Sequence, residues 1–213
     1  MLFDFASVPA ASRYKLMTAT IVPRPIAWVV SQSADGRVNA APFSFFNAMC
    51  ADPPVIAIGI GGSTAAGEVK DTAANIRATG QFTVCLVPYD LTDAMHVTAV
   101  EFPHGVDELA EAGLGTAASS RVGPPRIAAS PVAFECERLV TVELAADKGI
   151  VLGRVLAMHV RDDAVLDAGR AHIDTPRLDL IGRMGGPGGY VRASGGGLFE
   201  RARIRLRDWV RRT

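Results

Sequence analysis

Lys70, Asp71, Thr72 and Asn75 stand together where a helix should begin: Ala73 to Ala78 follows without a breaker, and Gly80 ends the run. A helix starting near Thr72 aims free N–H groups and a partial positive charge at whatever lies before it, an arrangement suited to phosphate. Thr72 and Asn75 are three positions apart and share a helix face, and Lys70 adds a point charge. Ser44, on an irregular strand, adds a hydroxyl. The chemistry implied is capture of an anion. The plainer reading is a surface helix with Asp71 or Thr72 as N-cap, and on the helix alone that reading stands first.

Other chemistries find less support. His96, His104, His159 and His172 are scattered, without the spacings that make a metal site. No Gly-x-Ser-x-Gly elbow offers a nucleophile. The glycines of 185–189 precede a strand rather than a helix, which does not fit a dinucleotide fingerprint. Cys50, Cys85 and Cys136 form no close pair and read as buried structural thiols of a reducing cytosol.

The elements that must position the anion site are mostly strands. Residues 11–20 read as a short helix, and Pro23 and Pro25 then force Ile26 to Ser31 to be extended. Asp35-Gly36 signals a hairpin into a run from Val38 to Asn47. Pro42 inside that run predicts an edge, a bulge or a kink, and an interruption there frees backbone groups for a ligand. Asp52-Pro53-Pro54 is a rigid turn before Val55 to Ile60, whose unbroken apolarity predicts a buried strand. Residues 63–69 read as a loop, Phe82 to Val87 as a strand and Asp90 to Ala99 as a short helix. Residues 101–112 look like an exposed excursion. Val132–Leu144, Ile150–Val160 and Gly189–Arg192 complete a mainly β pattern. The expected fold is one domain over 1–213, a core of about 20–195 closed into a barrel, with a lead-in over 1–19 and a basic tail over 196–213.

Composition narrows the function. The chain has 213 residues, 49% hydrophobic, with 22 basic and 22 acidic side chains, which argues against a disordered or nucleic-acid-coating protein. The one concentrated basic run, Arg201 to Arg212, alternates with apolar residues and suits a surface or interface segment. Neither a secretory leader nor a run long enough to span a bilayer is visible, so the expectation is a cytoplasmic protein without membrane attachment.

Taken in order, Arg24-Pro25-Ile26-Ala27-Trp28-Val29, Asp35-Gly36-x-Val38-Asn39-Ala40-Ala41-Pro42-Phe43-Ser44-Phe45-Phe46, Asp52-Pro53-Pro54 and Lys70-Asp71-Thr72-x-x-Asn75-Ile76 resemble the flavin reductase-like family with its FMN-binding split barrel. Phe102-Pro103-x-Gly105-Val106-Asp107-Glu108, Pro124-Pro125-Arg126-Ile127 and the glycine run ending at Tyr190 extend the resemblance to about residue 200. It implies a homodimer of split β-barrels with one FMN per subunit at the interface. It implies the flavin phosphate near Ser44, Lys70, Thr72 and Asn75, the ring against Ala41, Pro42, Phe43, Ser44, Phe45 and Phe46, and Asp71 among the cofactor-binding residues. Arg24 or Trp28, the turn around Ile60, and Tyr190 are implied near the cofactor. Cys85 departs from an Asn common in relatives, and Pro187-Gly188-Gly189 lengthens the glycine loop. The activity implied is NAD(P)H-dependent flavin reduction, with NADH or NADPH as reductant, no catalytic side chain, and an oxygenase component or electron-transfer partner downstream. The alternatives are a flavoredoxin-like carrier that keeps its FMN, and a ligand-binding dimeric barrel without redox turnover.

Overall fold

The computed structural model describes residues 1–61, 69–185 and 188–194. Residues 63–68 of the loop expected over 63–69, two residues of the glycine run and the basic tail lie outside the described residues.

Helix α1 (Ala10–Thr20) ends before Pro23 and Pro25, which cannot continue it. Strands β1 (Arg24–Pro25) and β2 (Ala27–Gln32) follow, and Asp35-Gly36 turns the chain with Gly36 at φ 91° into β3 (Val38–Phe43). The run expected to be one strand to Asn47 is two. β3 stops at Phe43, and β4 (Phe46–Ala51) begins after Ser44 and Phe45. Pro42 does not break β3, because β3 is an edge strand and a missing N–H there costs no ladder bond.

Strand β5 (Pro54–Gly61) also differs from expectation. Only alternate residues, Ile56, Ile58 and Ile60, are buried, so one face packs and the other is partly open. Helix α2 (Asp71–Thr79) ends on Gly80 at φ 71° and leads into β6 (Gln81–Cys85). Helices α3 (Thr92–Val97) and α4 (Glu108–Glu111) cover one side of the sheet. The segment between them is not merely an exposed excursion: Asp107 caps α4 by accepting from Leu109 and Ala110 N–H, and Leu109 is 2% exposed. The rest comprises β7 (Thr116–Ala117), β8 (Arg126–Ile127), the long pair β9 (Val132–Ala145) and β10 (Lys148–Val160), and β11 (Val165–Asp167), β12 (His172–Ile173), β13 (Ile181–Arg183) and β14 (Tyr190–Arg192).

Seven strands form the main sheet in the order β3-β2-β6-β9-β10-β5-β4. The consecutive strands β3 and β4 therefore lie on opposite edges, joined by Ser44 and Phe45 alone. The sheet must curl until its edges converge there, and the Phe45 carbonyl accepts from Gly59 N–H at 2.7 Å. Strand β2 is buried on both faces with a period of two. Ile26, Trp28 and Val30 enter the cluster of Met95, Leu109 and Ile127, whereas Ala27 and Val29 enter that of Ile58, Ile76 and Phe82. Cys85 and Cys136 are buried as expected. Cys50 is exposed instead, because it lies on the outer edge strand β4.

One buried charge fastens a loop to the sheet. Glu135, fully buried on β9, accepts from His159 Nε2 at 2.5 Å, Ser120 N–H at 2.8 Å and Arg121 N–H at 2.5 Å. Burial pushes its carboxyl up, but these hydrogen bonds outweigh burial and hold it below the ordinary carboxylate range. A carboxyl lowered in the folded state stabilises above its unfolded value of about 4.3, and that contribution is lost as pH falls through the folded value. Glu135→Gln is therefore expected to cost about 1–3 kcal/mol at pH 7. In urea titrations at pH 7, 5 and 3.5 the gap from wild type should shrink at the acid end; a constant gap would contradict this account.

Candidate functional site

The first turn of α2 and the edge of β3 face each other across a cavity of about 370 Å³, within the size range of small-molecule sites. Ala41, Pro42 and Phe43 form one wall and Lys70, Asp71 and Thr72 another. The segment from Thr98 to His104, with Glu108, closes the third side.

What holds α2 in this attitude is a buried polar cluster. Thr72 and Asn75 share a helix face, as their spacing requires, but it is the inner face; they are 2% and 8% exposed. Asn75 Nδ2 donates to Ser31 Oγ at 3.2 Å. Asn39, on β3 opposite Ser31, has its amide 2.9 Å from Thr72 Oγ1. With Asn39 Nδ2 turned toward Glu108 Oε1 at 3.1 Å, its oxygen accepts from the Thr72 hydroxyl and from Ala40 N–H. Neither Asp71 nor Thr72 caps the helix by a side-chain hydrogen bond; Lys70 occupies the cap position. Asp71 instead pairs with His104 Nδ1 at 2.8 Å, tying the third wall to α2. What the helix offers a ligand is thus backbone N–H groups of its first turn and the half-exposed Lys70, rather than the hydroxyl of Thr72.

Six residues singled out from sequence line the cavity: Ala41, Pro42, Phe43, Lys70, Asp71 and Thr72. Asn75 is buried on the inner face of α2, outside the lining. Ser44 is half-buried in the β3–β4 connection, outside the lining. Phe45 is 44% exposed and stacks on Tyr14 of α1, with ring centroids 6.3 Å apart. Phe46 and Ile60 pack into the second core cluster. Arg24 is buried and committed to the end of α1, donating to the Thr18 carbonyl at 2.7 Å and the Ile21 carbonyl at 2.6 Å. Tyr190 packs against the first cluster, edge-on to His96 and under the Arg183 guanidinium. Trp28 is fully buried, so it reaches the cavity only through a neighbour: Nε1 donates to Thr98 Oγ1 at 2.9 Å, and Thr98 is a wall residue.

Sequence reasoning missed Ser31, Asn39, Thr98 and Glu108. A signal existed for the first two. Ser31 and Asn39 are polar residues inside runs whose period of two assigns them to buried faces, and a buried polar side chain must find a partner.

The family model described as flavin reductase like domain matches residues 18–174. A Deinococcus radiodurans protein is 44% identical over 211 residues, spanning 97% of this chain and 91% of that one. Among solved structures, nitrilotriacetate monooxygenase component B from Bacillus cereus superposes with a TM-score of 0.86 at 29% identity, covering 94% of this chain and 98% of that one. The Pseudomonas fluorescens 2-nitrobenzoate 2-nitroreductase NbaA gives 0.83 at 29% identity, covering 97% and 96%.

The polar cluster predicts its own mutational signature. Ser31→Ala leaves the Asn75 amide without its partner in a closed interface, at an expected cost of about 1–3 kcal/mol. Combining it with Asn75→Leu should cost less than the sum of the two single changes in a denaturant double-mutant cycle. Full additivity would show that the hydrogen bond does not couple α2 to β2.

Proposed function

The chain belongs to the flavin reductase-like family, and from that premise we propose that this FMN-binding oxidoreductase passes hydride from NAD(P)H to FMN. The observation that carries the proposal is the cavity where the β3 edge meets the first turn of α2.

The residues present fit FMN. The first-turn N–H groups of α2, with Lys70 beside them, make a donor set for a phosphate. Ala41, Pro42 and Phe43 supply an apolar wall and edge-strand backbone suited to a flat ring. Lys70 and α2 would therefore hold the phosphate end and residues 41–43 the ring end. When bound, FMN would supply the hydride-accepting chemistry, with NAD(P)H as the donor.

The chain's own task is positioning. The hydrogen bond from Trp28 to Thr98 fixes the third wall against the core, and His104 with Asp71 closes that wall onto α2. Such walls orient two stacked rings and exclude water, the contribution that hydride transfer needs most from a protein. No proton-transfer residue is assigned.

We further propose that the curled sheet is a split barrel and that two copies pair. Exposed apolar side chains support pairing: Phe45 and Met49 at the β4 edge, and Val140, Val142 and Leu144 on β9. The nitrilotriacetate relative is a monooxygenase component, which supports a second component that consumes reduced flavin.

The deciding measurement is an absorbance spectrum of the purified protein with FMN, before and after NADH and then NADPH. Bleaching of bound flavin by either nucleotide is expected. Flavin that binds without bleaching would replace this reading with an electron carrier that retains FMN. Absence of flavin binding would leave a ligand-binding barrel. Lys70→Ala should weaken FMN binding by about 1.5–3 kcal/mol, the worth of a charge-assisted hydrogen bond. Unchanged affinity in a fluorescence titration would remove α2 from the phosphate end.

A further inference from the structure

Glu108 opens α4 and lines the cavity directly across from the first turn of α2, in a position no hydride transfer requires. Its Oε2 accepts from Ala40 N–H at 3.1 Å, and its Oε1 faces the Asn39 amide at 3.1 Å. The other end of that amide is 2.9 Å from Thr72 Oγ1. A single side chain therefore separates the carboxylate from the helix turn that would receive a phosphate.

Hydrogen bonds from backbone N–H groups and the Asn39 amide support this charge, but no ion pair among the described residues does. Its charged neighbours Asp71 and Asp107 are themselves acidic. Burial pushes the Glu108 carboxyl up, and those two carboxylates add to it. Lys70 is the one Lys or Arg side chain among the described residues lining the cavity, where Asp71, Glu101 and Glu108 are carboxylates. A phosphate at α2 gains Lys70 and the helix terminus, yet meets a like charge in a partly desolvated wall, where repulsion is weakly screened.

We propose that Glu108 limits affinity for the phosphate end of the ligand, so that FMN exchanges as a substrate instead of remaining as a fixed prosthetic group. This rests on FMN occupying the cavity, as argued above. It makes Glu108 a specificity-determining residue whose role is to set retention and not to perform chemistry.

Riboflavin, which has the same ring and ribityl chain without the phosphate, separates a charge effect from a shape effect. Glu108→Gln keeps the volume and an acceptor for Ala40 N–H while removing the charge. In fluorescence titrations of the full chain, it is expected to bind FMN about tenfold more tightly than wild type, with riboflavin affinity unchanged within about twofold. Asp71→Asn, checked for folding by circular dichroism, should move FMN the same way by less, since Asp71 is already paired with His104. Equal FMN affinity in wild type and Glu108→Gln would overturn the inference and leave the flavin site standing. Equal tightening of FMN and riboflavin would overturn it too, by showing that the substitution reshapes the cavity. Failure of every folded variant to bind either flavin would instead remove the flavin site itself, and the inference with it.

Discussion

The hydroxyl of Ser31 is the point on which the site geometry depends. In β2 the odd-numbered residues Ala27 and Val29 face the second core cluster, and Ser31 continues that parity with a polar group. An apolar side chain there would bury as well but would leave α2 free to rotate, because hydrophobic contact has no direction. A buried hydroxyl demands a partner, and Asn75 supplies it from α2. Asn39 and Thr72 repeat the device one strand over. Together they fix the helix about its axis, so that its first turn opens toward the β3 edge and not toward solvent. Ile76, fully buried beside them, gives the attachment its energy, while the polar pairs give it its angle.

The remaining walls follow the same division. Trp28 contributes a large buried surface to the first cluster, and its one polar atom reaches Thr98. That bond sets where the chain leaves α3, and hence where the segment to His104 can lie. The contact between His104 Nδ1 and Asp71 is exposed and adds little energy, but it joins the third wall to α2. Walls fixed in this manner suit the proposed task of holding flat rings in register.

Much of this was legible in the sequence. The hairpin at Asp35-Gly36, the helix ended by Gly80 and the long strands β9 and β10 are local features, and local signals announce them. The helix start at Lys70 and Asp71 was legible for the same reason. Less accessible was everything decided by chain crossing. Nothing local states that Ser44 and Phe45 carry the chain from one sheet edge to the other, so a run to Asn47 reads as one strand. Side-chain direction was the other gap. A spacing of three says that Thr72 and Asn75 share a face, but only the position of β2 decides that the face is inward. Trp28 illustrates the same limit: its place in a family motif pointed to the cofactor, whereas strand parity turns it into the core.

The β3 edge shows how one set of residues meets two demands. An edge strand exposes backbone donors and acceptors that invite another strand. Here the Ala40 N–H is taken by Glu108, and Pro42, two residues on and facing the same way, has no N–H to offer. The edge is thereby closed to regular pairing over the very stretch that lines the cavity. Its remaining backbone groups and the side chains of Ala41 and Phe43 stay available to a ligand that does not need a ladder. The carboxylate that blunts the edge is also the one that faces the first turn of α2. Protection of the strand and the charge of the cavity are thus properties of a single side chain, the first carried by its acceptor oxygen and the second by its ionisation.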